Sequence, residues 1–77
     1  MITAAQMRAA RALIGLSQAD VARRAGVSIP TVKRCESGSE RAPMVSAETQ
    51  DKVRAALEAE GVEFTNGNQP GVRLRRP

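Results

Sequence analysis

Residues 17–37 read SQADVARRAGVSIPTVKRCES, and the spacing within them predicts two short helices joined by a tight glycine turn. Counted from Gln18, the fifth residue is Ala22, the ninth Gly26 and the fifteenth Val32. A side chain as small as that of Ala22 lets the second helix cross close to the first. Gly26 falls where the chain turns sharply and needs a positive φ, which glycine adopts without steric cost. Val32 fills the angle between the helices. Ser17, with Asp20 three residues later, forms a capping pair that opens the first helix, and Ser28 can accept from the free N–H groups of the second. Pro30 lies inside that helix's first turn, where a missing N–H is harmless because those donors lack intrahelical acceptors. The expected helices span about 18–25, with Val21, Ala22 and Ala25 as a buried stripe, and 29–36, with Val27 as a core plug between them.

The flanks extend the same reading. Thr3 and Gln6 are spaced for a capping box, so an earlier helix is expected over 4–14, with Met7, Ala10 and Ile14 on one face and Gly15 as its stop. Leu16 packs inward after it. Residues 37–43, SGSERAP, form a polar connection with breakers; Met44 and Val45 then return to the core ahead of Ser46, an N-cap. Val53, Ala56 and Leu57 recur at helical spacing, and Gly61 supplies a stop, which predicts a fourth helix over 47–60. The period then changes from helical to alternating. VEFT at 62–65 and VRLR at 72–75 flank the turn-rich NGNQPG at 66–71, which predicts a short C-terminal β-hairpin, with a partly disordered basic tail as the alternative.

Seventy-seven residues make one small domain, near the size at which a single core is barely sufficient and a partner subunit often completes it. Apolar residues are 42% of the chain, but thirteen residues are alanines and only one is aromatic, so the core must be a thin seam between closely packed helices. Twelve Lys and Arg against eight Asp and Glu leave a net charge of +4, and ten of the twelve cations are arginines, whose planar forks suit phosphates and guanine edges. A polyanionic partner fits this balance, as does an ordinary basic surface.

Cys35 is the single cysteine and there is no histidine. An intramolecular disulfide is therefore excluded, and the usual zinc-ligand sets and His-based triads cannot be built. Neither a metal nor a cofactor is expected. No apolar run approaches the roughly 20 residues needed to span a bilayer, and no signal-peptide layout opens the chain, so a cytoplasmic protein is the expectation.

Residues 3–60, through LSQADVA at 16–22 and AGVS at 25–28, resemble the Cro and phage-repressor (XRE-type) helix-turn-helix transcriptional regulators. The resemblance implies a mainly α fold, a lambda-repressor-like bundle of four helices, here followed by the short hairpin. It divides the chain into a helix-turn-helix DNA-binding domain over 1–61 and a hairpin or basic tail over 62–77, a candidate dimerisation element of the same domain. In that family the second motif helix enters the major groove and the first crosses the backbone with its N-terminus near a phosphate. Carried onto this chain, Gln18 is similar to a glutamine that donates to DNA phosphate, and Ser28, Ile29, Pro30, Thr31, Lys33 and Arg34 occupy the recognition register. Arg11 and Glu36 resemble a family ion pair between helix one and the end of the recognition helix.

The chain departs from the family at three places. Ile29 and Pro30 stand where related repressors often carry polar residues, and neither can form a bidentate hydrogen bond with a base; thymine methyls are the targets left to them. Ile29 also lies three residues before Val32, so a core position is its alternative reading. Cys35 replaces a larger aliphatic and reads as a small buried hydrophobe rather than a redox sensor. The hairpin differs from the fifth helix of the best-known phage repressors and resembles the ending of many small bacterial regulators. It is expected to lean on helix four through Phe64 or to pair with a second subunit.

The function expected from this is sequence-specific reading of double-stranded DNA without catalysis, with Thr31, Lys33 and Arg34 at base edges and Ser17, Gln18 and Arg41 at phosphates. A homodimer on an inverted-repeat operator follows, with Val62, Phe64, Val72 and Leu74 left over to build the interface. Two rivals share the fold: an adaptor or antiactivator that grips another regulator through the apolar Ile29–Pro30 tip, and an antitoxin-like regulator that binds both a partner protein and operator DNA. An enzyme is disfavoured by the lack of histidine, of a Gly-rich phosphate loop and of convergent carboxylates.

Overall fold

The computed structural model describes residues 2–37, 45–65 and 69–75. Its order is α1 (Ala4–Ile14), α2 (Gln18–Ala25), α3 (Ile29–Glu36), α4 (Ala47–Ala59), β1 (Val62–Thr65) and β2 (Gly71–Leu74). Over the described residues the molecule is mainly helical, four helices closed by a two-stranded antiparallel hairpin, as the sequence predicts. Met44 and the centre of the hairpin turn lie outside the described residues.

The helix starts follow from their capping side chains. Thr3 and Gln6 form a reciprocal capping box on α1, Ser17 and Asp20 form another on α2, and Ser28 and Ser46 accept from the N–H groups of Thr31 and Thr49 at the starts of α3 and α4. Gly26 ends α2 at φ 72°, the left-handed conformation its position in the motif demands. Helix α4 stops at Ala59, one residue before the predicted end. The N–H of Glu60 and that of Gly61 turn back to Leu57 and Glu58, tightening the last turn, and Gly61 at φ 98° redirects the chain into β1.

Ile2, Met7, Ala10, Val21, Ala22, Val32, Val53, Leu57 and Val62 form the core, with Ile14, Leu16, Ala25, Val27, Cys35, Phe64 and Val72 packed against it. Ala10 is wholly buried and Ala22 nearly so; α2 packs against α3 and α4, and α1 against α3 and the hairpin. Ile29 is not part of this core; it is 42% exposed, so its alternative reading fails.

The hairpin sits differently from expectation. Val62 pairs with Leu74, Glu63 with Arg73, Phe64 with Val72 and Thr65 with Gly71. Strand β2 therefore starts at Gly71, one residue before the predicted start, because Thr65 still needs a partner. Rather than leaning on α4 alone, the hairpin lays β2 against α1 and β1 against both α1 and α4. Gln6 explains the preference. Its side chain is buried, its Oε1 accepts from the Thr3 N–H at 2.8 Å, and its Nε2 donates to the carbonyls of Thr65 at 2.9 Å and Gly71 at 3.0 Å. One amide thus caps α1 and clamps the open end of the hairpin. Val62 is 2% exposed inside this chain's own core, so it is not left over for an interface with another copy.

Candidate nucleic-acid interface

Helix α3 owes its placement to the residue that ends it. Glu36 is 6% exposed, and its carboxylate receives Arg11 through two bonds, Nε to Oε2 at 2.8 Å and Nη2 to Oε1 at 3.0 Å. Arg11 also donates to the Leu16 carbonyl at 3.2 Å, and the guanidinium of Arg8 donates to the Glu36 carbonyl at the C-terminal end of the helix. The hydrogen bond with Glu36 holds the Arg11 pKa above its ordinary value, against the opposing effect of burial. The pairing implied by the family resemblance is present, and it fixes α3 to α1.

Gln18, the first residue of α2, belongs to the same cluster. Its Nε2 donates to Glu36 Oε1 at 3.1 Å, so the carboxylate selects the orientation of the amide. Ser17 beside it accepts from the Asp20 N–H at 3.0 Å, while the Asp20 carboxylate accepts from the Ser17 N–H at 3.0 Å. Hydrogen bonds from the Ser17 N–H and then from its hydroxyl hold the Asp20 carboxyl below the usual carboxylate range. Sequence reasoning missed the contacts of Gln18 and Arg8 with Glu36, which join residues 18 and 28 positions apart with no local signature.

On α3, Val32 and Glu36 are buried and Cys35 half-buried, leaving Ile29, Pro30, Lys33 and Arg34 exposed. Residues four apart align along a helix, so Ile29 heads a row with Lys33, and Pro30 a row with Arg34. The outer face is apolar at its N-terminal turn and cationic at its C-terminal turn. Thr31 is half-buried, and its hydroxyl and that of Ser28 lie 2.8 Å apart, hydrogen-bonded to each other. Burial raises the Cys35 thiol pKa, and the charge of Glu36 raises it further, which suits an inert packing role.

The distribution of cations sharpens this face. Arg23 pairs with Asp20, Arg24 with Glu60, Arg54 with Glu58, and both Arg73 and Arg75 with Glu63. Among the described residues, Lys33, Arg34 and Lys52 are the cations bonded to neither a carboxylate nor a carbonyl. Two of the three stand side by side on α3. Arg41, expected at a phosphate, lies outside the described residues.

The model of a helix-turn-helix domain family matches residues 3–64. The chain belongs to that family. The match ends within β1, slightly beyond the resemblance read from the sequence, and takes in α2 and α3, the two helices joined at Gly26. Curated proteins gave no match. No helix among the described residues is long and apolar enough to cross a membrane.

Proposed function

We propose that the protein is a sequence-specific DNA-binding transcriptional regulator of the Cro/repressor (XRE) type that reads the major groove with α3. The observation that carries this reading is the pair of free cations, Lys33 and Arg34, on the exposed face of the second motif helix, while most other arginines are neutralised internally. Arg34 and Lys33 meet base edges; Ser17, Gln18 and Arg41 meet phosphates. Glu36 orients the Gln18 amide so that one N–H is spent on the carboxylate and the other is free for a phosphate oxygen. No catalytic step is involved, and the cytoplasm is its place of action.

A single α3 reads too few base pairs for a unique address, so the protein acts as a two-fold dimer, with recognition helices about 34 Å apart on an inverted repeat. With Val62 buried and Phe64 and Val72 half-buried against the core, what is left for the second copy is Leu74 and the exposed parts of Phe64 and Val72.

Selecting bound fragments from the host genome with the full chain tests the reading. An enriched sequence supports it. Failure to enrich any sequence rejects it and favours a regulator-binding adaptor that uses the exposed Ile29–Pro30 tip.

A further inference from the structure

The N-terminal turn of α3 brings two hydroxyls, Ser28 and Thr31, together beside two apolar side chains, Ile29 and Pro30. The hydroxyls of Ser28 and Thr31 are bonded to each other at 2.8 Å, and Ser28 Oγ also accepts from the Thr31 N–H at 3.2 Å. Pro30 has no N–H. Ile29 is one of the two large hydrophobic residues exposed among those described, 42% against a core of residues at 9% or less. The two hydroxyls expected to read bases at this end thus spend part of their bonding capacity on each other, and beside them the exposed surface is hydrocarbon: the Ile29 side chain and the Pro30 ring.

On the proposed DNA-reading function, which this inference presupposes, we infer that the tip of α3 recognises the 5-methyl group of a thymine, with Ile29 as the specificity-determining residue. In the major groove the thymine methyl is the apolar feature that distinguishes one base pair from the others, whereas guanine, adenine and cytosine offer hydrogen-bonding atoms that Ile29 and Pro30 cannot match. Lys33 and Arg34 follow one helical turn later, about 6 Å further along the axis, a distance of roughly two base-pair steps. The half-site therefore pairs a thymine, read by shape, with a nearby guanine, read by Arg34.

The test uses the duplex that the full-length protein enriches from random DNA. Each thymine in turn is replaced by deoxyuridine, which removes the methyl and leaves the pairing unchanged. At one thymine per half-site the uracil duplex is expected to bind about fourfold more weakly, the equivalent of about 0.8 kcal/mol for one buried methyl. Ile29→Ala is expected to weaken binding to the thymine duplex and to abolish the difference between the two duplexes. Ile29→Val, which keeps a branched apolar tip, is expected to retain much of it. Circular dichroism of each variant, matching the parent, ties the change to the exposed side chain rather than to folding. An enriched duplex indifferent to uracil at every position overturns the inference and leaves the DNA reading intact; so does a uracil effect that persists unchanged in Ile29→Ala. A chain that enriches no sequence overturns both.

Discussion

One buried carboxylate gives α3 its fixed position: Glu36 takes two bonds from Arg11 and one from Gln18. Breaking a largely buried ion pair leaves the remaining charge without its partner, so Glu36→Gln is expected to cost about 3 kcal/mol in urea denaturation. Near-parental stability in that variant would show that the cluster orients Gln18 without holding the fold. In DNA binding, Arg34→Ala is expected to cost about 1–3 kcal/mol and to relax preference at one base pair, whereas Gln18→Ala should weaken binding alike on all sequences; competition assays on single-base variants separate the two. The Arg11–Glu36 pair was legible in the sequence through the family resemblance. The bonds of Gln18 and Arg8 to Glu36 were not legible, because they depend on where the turns at Gly15 and Gly26 bring distant residues.

Two half-buried carboxylates, Asp20 and Glu63, contribute to stability at the acid end. Asp20 is held below the usual carboxylate range by the N–H and hydroxyl of Ser17, and Glu63 by hydrogen bonds from Arg75 and then Arg73. Because each folded value lies below the unfolded one, their contribution is complete above about pH 4.5 and is lost as pH falls through the folded values. Thermal melts of Glu63→Gln should therefore show a shallower loss between about pH 4.5 and pH 3 than the parent, and an unchanged slope would contradict the pairing.

Among the elements, the helices were set by local chemistry: caps at Thr3, Ser17, Ser28 and Ser46, with a positive-φ glycine after α2, placed all four within a residue of their observed bounds. Gly26→Ala has open space for the new methyl but a φ of 72°, so it should lower stability by about 1–2 kcal/mol through backbone strain alone. The hairpin's existence was legible from its alternation and turn residues. Its docking on α1 was not, since it rests on a second use of Gln6 that the capping pattern does not reveal. Gln6→Glu separates those uses. A carboxylate still accepts from the Thr3 N–H but repels the carbonyls of Thr65 and Gly71, so amide exchange should rise in β1 and β2 while α1 stays protected. Equal exchange throughout would remove Gln6 from its role as a clamp.

For the whole molecule, the competing demands are self-association and DNA reading by a chain of net charge +4. Sedimentation of the full chain at tens of micromolar, beside a hairpin variant such as Leu74→Arg, tests association: a dimer that the substitution dissociates supports the proposed contact, and a parent monomer rejects a dimer preformed off DNA. The central claim, that α3 and the start of α2 read a DNA duplex, is tested most directly by measuring affinity for the selected site across a range of salt. If each subunit neutralises roughly three to five phosphates, log K should fall against log salt with a slope of about −0.9 for every phosphate contacted, while preference for the selected sequence persists. Affinity that ignores salt, or that is the same on every sequence, would contradict it.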